Sequence, residues 1–206
     1  MSAESGTPWS DVSLSARALA LESSQMTIEY TVVNHSPVSV YVFGLLYRTE
    51  QSGAIATDPN LVYSWVDEHA ILWFSKMLLE TPPWAMVESP EVPFLLRLDA
   101  GGTFSGQIRS PLPLHLYDPY DDNYPPDYQP FVREAKGWAV AIGYVRAEPG
   151  LPIEKMGTWL GRDLFVMPYD DCLRRQVVIH ATAKPVMVRF LEPARRRERE
   201  MIEQSR

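Results

Sequence analysis

A single cysteine, Cys172, stands in the 206-residue chain, so no internal disulfide can staple it. Small extracellular β domains often carry such a staple, and its absence points to a cytosolic setting. Glycine is scarce as well, eleven against eighteen prolines, a balance that favours many fixed chain reversals over long helices. No apolar run approaches the ~18 residues that a membrane helix needs. Met1–Asp11 is polar and lacks the basic-then-apolar layout of a signal peptide, so no membrane association is expected. Positive charge is thin over most of the chain. Residues 1–170 hold 10 Lys and Arg against 21 Asp and Glu, net −11, whereas residues 171–206 hold 9 against 5, net +4. Phosphate backbones are bound chiefly through Lys and Arg, which argues against nucleic acid as a partner.

Chemical signatures are missing too. There is no Gly-x-Ser-x-Gly, Walker or dinucleotide fingerprint. The four histidines, His35, His69, His115 and His180, share no metal-ligand spacing, and no metal or cofactor is expected. Cys172 follows Asp170 and Asp171, whose charges disfavour a thiolate. The chain is therefore read as non-catalytic.

What is present is strand pattern. Aromatics at 11% and an apolar fraction of 46% suit pleated, half-buried surfaces in a globular protein. Val12–Leu21 alternates through Val12, Leu14, Ala16, Ala18 and Ala20, until Leu19 and Leu21 intrude on the polar face. Met26 to Val33 alternates through Met26, Ile28, Tyr30 and Val32, and Val38 to Tyr47 is dense in Val, Tyr, Phe and Leu. Three strands joined by tight turns predict a meander needing a second layer over its apolar face. Residues 60–80 read as a hairpin around Asp67-Glu68-His69, with a helix capped by Asp58-Pro59 as the alternative. Pro93 to Leu98 and Thr103 to Arg109 flank a turn at Asp99–Gly102. Trp138 to Val145, the most continuously apolar run, is expected at the centre of a sheet. Leu173 to Ala183 is the last major strand, with Pro185 to Phe190 as its extension.

Thr31-Val-Val-Asn-His-Ser-Pro-Val38 and Leu98-Asp-Ala-Gly-Gly-Thr-Phe104 resemble turns of bacterial immunoglobulin-like or fibronectin-III-like domains. The resemblance spans roughly residues 12–183 in strand order and lacks the Cys–Trp–Cys pattern of antibody domains. It implies an all-β, antiparallel immunoglobulin-like β-sandwich over residues 12–190. Long irregular loops at 117–136 and 148–171 would interrupt it. Residues 1–11 are expected to be loosely held, and 191–206 to form a charged, helical C-terminal tail.

Residues 117–130 contain four Tyr, four Asp and four Pro and no aliphatic residue. Tyr-rich loops on a rigid scaffold suit protein recognition, because each ring offers wide contact area at low entropic cost. Tyr117, Tyr120, Asp121, Tyr124 and Tyr128 are the candidate partner-binding residues. The plainer reading folds these rings down to cap a sheet edge, with the prolines blocking edge pairing. Two further readings stay open. Asp118, Asp121, Asp122 and Asp127 supply oxygens for a Ca²⁺-dependent ligand or carbohydrate binder, though their spacing is not that of an EF-hand. The acidic body alternatively suits an inhibitor or immunity protein facing a basic target. The leading expectation is a bacterial cytosolic binding or scaffolding module with a protein partner or a second copy. The tetrapeptide Pro-Tyr-Asp-Asp occurs at 119–122 and 168–171. Its copies are expected at opposite ends of the central strand.

Overall fold

The computed structural model describes residues 11–49, 54–85, 87, 90–120, 125–183 and 186–194. Their architecture is all-β, with one short helix. Strands β1 (Val12–Leu21) and β2 (Gln25–Asn34) form an antiparallel hairpin, and β8 (Thr103–Pro111) pairs with the other edge of β2. The alternation read from the sequence sets the inward face: Met26, Ile28, Tyr30 and Val32 are each at most 1% exposed. In β1 the register runs in step to Ala18↔Ile28 and resumes at Ala20↔Thr27. Leu19 is the extra residue of a bulge, which turns Leu19 and Leu21 out to solvent.

The predicted meander ends there. The next strand, β3 (Val40–Thr49), leaves for a larger sheet. That sheet also contains β4 (Ile55–Asp58), β5 (Tyr63–Val66), β6 (Ile71–Lys76), β7 (Phe94–Leu98) and β10 (Gly137–Arg146). It is completed by β11 (Glu154–Trp159), β12 (Arg162–Val166) and β13 (Val177–Thr182). Its order is β11-β12-β7-β3-β10-β6-β5, with β13 on β10 and β4 on β3. The physical reason for the departure is that β3 is apolar on both faces and needs cover on both. Val40, Val42 and Leu45 enter the main core shared with the three-stranded sheet. Tyr41 and Phe43 face a second cluster beneath the helix α1 (Tyr169–Arg175), with Leu95, Val145, Met167 and Cys172.

The corner between the sheets is held by Asn34, which is fully buried. Its amide nitrogen donates to the carbonyls of Val38, Leu98 and Asp99 at 2.8, 3.2 and 3.0 Å. Its oxygen accepts from the Ser36 backbone N–H and hydroxyl. The two turn stretches singled out in the sequence, 31–38 and 98–104, thus meet on one side chain.

β10 lies centrally, as expected, with every residue from Gly137 to Val145 buried. One edge carries β13, while β6 and then β3 share the other. Gly143 has no room for a Cβ, which would come within 2.5 Å of Gln176 Oε1. That side chain pairs in both directions with the Leu78 backbone and anchors the end of α1 to the sheet.

The hairpin reading of 60–80 holds, since β5 and β6 pair antiparallel around Asp67. Asp67 accepts the His69 and Ile71 N–H groups and the Trp73 indole N–H. Burial works against its carboxylate, but those hydrogen bonds outweigh it and hold the group below the usual carboxylate range.

Several expectations are corrected. The fold is not antiparallel throughout: β6 and β10 run parallel from Ile71↔Gly137 to Lys76↔Ile142. The long path between them, through β7 and β8, gives the crossover that a parallel pair requires. The stretch 148–171 is not an irregular loop. It contains the β11–β12 hairpin and the start of α1. Leu173 to Arg175 is helix rather than strand, and Val188–Leu191, here β14, does not extend β13. It pairs instead with β9 (Val132–Ala135) in a separate ribbon. Burial runs past residue 190 to Glu192, which is 0% exposed. Asp11 is held by an ion pair to Arg146 at 2.6 Å. The charged tail beyond residue 194 lies outside the described residues, as do residues 1–10.

The β11–β12 turn places Leu160 at φ 48° and Gly161 at φ 76°, a two-residue reversal that favours Asn-Gly. Leu160 is 82% exposed, so little packing offsets its left-handed backbone. Leu160→Asn is expected to raise stability by roughly 0.5–1 kcal/mol, read as a higher melting temperature.

Candidate functional site: a tyrosine-lined cleft

A cleft of about 440 Å³ is lined by Tyr47, Arg48, Val87, Glu91, Tyr117, Pro119 and Tyr120. Three parts of the chain build it. Tyr47 and Arg48 come from the polar end of β3, after its bulge between Phe43 and Leu45. Glu91 sits in the connection to β7, between Pro90 and Pro93. Tyr117 opens the Tyr/Asp/Pro loop.

Tyr117 is fastened to the edge strand β5 in both directions. Its N–H donates to Ser64 Oγ at 2.9 Å, and its carbonyl accepts the Ser64 N–H at 2.8 Å. Its ring stacks on Tyr63 at 5.9 Å, and the Arg48 guanidinium lies 5.8 Å from its centroid on a cation–π path. Its hydroxyl donates to Glu91 Oε2 at 3.4 Å. An Asx turn from Asp118 Oδ1 to the Tyr120 N–H, 2.8 Å, then directs the chain along the cleft.

The electrostatics centre on Glu91. Burial pushes its carboxyl up to about 6, opposed by the phenols of Tyr117 and Tyr63 and by the Arg48 charge. Burial, and then the Glu91 charge, push the Tyr117 phenol up to about 12. Tyr47 and Tyr63 are raised by the same two causes, and Tyr120 chiefly by burial. Buried side-chain polar atoms that make no hydrogen bond are few in folded proteins. Among the described residues they include Tyr63 Oη, Thr81 Oγ1, Glu91 Oε1 and Tyr120 Oη, all in this cluster. The Tyr63 phenol faces Glu91 and the Tyr120 phenol faces Thr81, so these polar groups are one another's neighbours.

Of the sequence-predicted site residues, Tyr117 and Tyr120 line the cleft. Tyr128 lies elsewhere: its hydroxyl donates to the Glu192 carbonyl at 3.0 Å and ties the loop to the end of the described chain. Asp121 and Tyr124, with Asp122, lie outside the described residues. Tyr117 and Tyr128 are both half-buried, Tyr117 against the edge strand β5 and Tyr128 against the chain just beyond β14. The two Pro-Tyr-Asp-Asp copies were expected at opposite ends of the central strand, yet their tyrosines converge on Thr81. Tyr169 Oη accepts the Thr81 N–H at 2.7 Å, and Tyr120 neighbours both Thr81 and Tyr169. The connection after β6 folds back between them.

Tyr47, Arg48 and Glu91 were missed. Tyr47 and Arg48 do signal themselves as the polar end of an otherwise apolar strand. Nothing local marks Glu91, because its partners are distant in sequence. Among the described residues no group of three His, Cys, Asp or Glu is placed to hold a metal ion. The Cys172 thiol is buried, pushed up to about 12 by burial and by the Asp171 charge, which leaves it protonated near neutrality. No described helix is long and apolar enough to cross a membrane. Comparison with protein-family models, curated proteins and solved structures gave no match.

Proposed function

We propose that the chain is a non-catalytic protein-binding or scaffolding module of a bacterial cytosol, built on an immunoglobulin-like sandwich. A protein partner, or a second copy, is held at the cleft. The observation that carries this reading is the convergence of the Tyr47, Tyr117 and Tyr120 rings with Arg48 on anchored backbone. Tyrosine and arginine dominate binding hot spots, and rings fixed in advance lose little entropy on binding. The sandwich reading is supported by two sheets sharing one core, joined at the Asn34 corner. The acidic balance of residues 1–170 favours a basic partner, in line with an inhibitor or immunity role.

The test is affinity capture with the wild-type chain and Tyr120→Ala, together with their sedimentation profiles. Tyr120→Ala is expected to weaken partner capture or dimerisation about tenfold or more, with only a small fall in melting temperature. Unchanged capture by a folded variant, or a large loss of stability with association intact, would reduce the loop to a structural cap.

A further inference from the structure

We infer that the cleft seats a cationic side chain, arginine or lysine, of a basic partner protein against Glu91 and between the tyrosine rings. This deepens the protein-binding reading and rests on it.

The geometry supplies both halves of a cation site. Tyr47, Tyr117 and Tyr120 present aromatic walls, whose negative faces attract cations. Glu91 supplies a carboxylate, a group able to take several donors at once, of which Oε2 accepts from Tyr117. An entering guanidinium or ammonium is a donor without acceptors, and it pairs with this carboxylate through a charge-assisted bond. The cleft already holds one such group at its margin, since Arg48 lies over the Tyr117 ring. Among the described lining residues Arg48 is also the only cation. The adjoining loop 117–130 carries Asp118, Asp121, Asp122 and Asp127 and no Lys or Arg. A second cation is thus drawn in by the surrounding charge, whereas an anionic ligand has Arg48 alone to meet it.

Protonation sets the working range. Among the described residues, the charged and titratable groups facing Glu91 are Arg48 and the phenols of Tyr47, Tyr63, Tyr117 and Tyr120. The guanidinium stays charged throughout, and the phenols are raised above their ordinary value and stay neutral. Among these groups Glu91 is the one that changes charge between mildly acidic and neutral pH. Its carboxylate is ionised above about 6 and loses its charge below that. Cation capture weakens as pH falls through this value.

The probe is N-acetyl-arginine amide, titrated at about pH 7.5 in low salt and followed by tyrosine fluorescence, with N-acetyl-citrulline amide as the uncharged isostere. Saturable millimolar binding of the arginine compound is expected, with the citrulline compound about tenfold weaker or worse. Glu91→Gln should lose about tenfold or more and flatten the decline between about pH 7.5 and 5. Arg48→Gln, which removes the resident cation, should tighten the probe severalfold. Equal binding of the two amides, an unaffected Glu91→Gln, or no saturation by ~50 mM would overturn the inference. Loss of partner capture in Tyr120→Ala without arginine binding would leave the protein-binding reading standing and remove only the cation. Arginine binding with capture intact in Tyr120→Ala would do the reverse.

Discussion

Lys76→Met is expected to flatten a rise in stability that the wild-type protein shows between about pH 7 and 9.5. Lys76 closes β6 and is 1% exposed, deep between the sheets. The β3 bulge explains why a lysine is there. The extra residue frees the Gly44 carbonyl from the ladder, and Lys76 Nζ donates to it at 3.1 Å. A second bond at 2.6 Å reaches the Pro59 carbonyl, and the Tyr30 ring lies 5.9 Å away. Burial nevertheless dominates and lowers the ammonium to about 7, with the Asp58 charge opposing.

In the unfolded chain the same amine titrates near ~10.4. Between these values the unfolded state binds the additional proton, so raising the pH favours the fold by up to roughly 1.4 kcal/mol per unit. The contribution is complete above the unfolded value and is lost as pH falls to about 7. Above about pH 10 the raised phenols of Tyr30, Tyr63 and Tyr117 work in the opposite direction, because their unfolded counterparts ionise first. Urea midpoints at several pH values for the wild type and Lys76→Met measure the difference. Equal slopes would show that Lys76 is not the source. Lys76→Ala also leaves a cavity and two unmet carbonyls, and is expected to cost roughly 3–5 kcal/mol.

Asn34→Ala is the second large effect, expected at roughly 3–5 kcal/mol. One amide there meets three carbonyls and two donors, and all five contacts lie in or beside the turns joining the sheets. Removing it breaks the whole set at once. Val38 keeps the Ser36 hydroxyl and Asp99 keeps the Gly102 N–H. The Ser36 N–H and the Leu98 carbonyl lose the amide where water has poor access, and each buried group left unpaired costs about 1–3 kcal/mol. Asn34→Asp keeps the shape but sets a carboxylate against three carbonyl oxygens, so it should be at least as damaging. Chemical denaturation of both variants decides the point. A loss within about 1 kcal/mol would mean that water replaces the amide and that the corner is not a mainstay of the fold.

Where one stretch of chain carries its own environment, the sequence was legible. The alternation of Met26, Ile28, Tyr30 and Val32 names an inward face, and the unbroken apolar run of β10 requires cover on both sides. The β5–β6 hairpin follows from the polar break at Asp67, and Tyr117 and Tyr120 stood out by composition. Local pattern cannot decide which edge a strand joins. β3 left the predicted meander because both of its faces are apolar, and β6 met β10 in parallel because the path between them is long. The helix Tyr169–Arg175 is too short for periodicity to show, and tertiary contacts through Cys172 and Gln176 hold it. The cleft depended most on the tertiary structure. A bulge, a proline-flanked glutamate and a loop residue pinned to Ser64 meet there across distant positions, and burial of Glu91 arises only from that meeting.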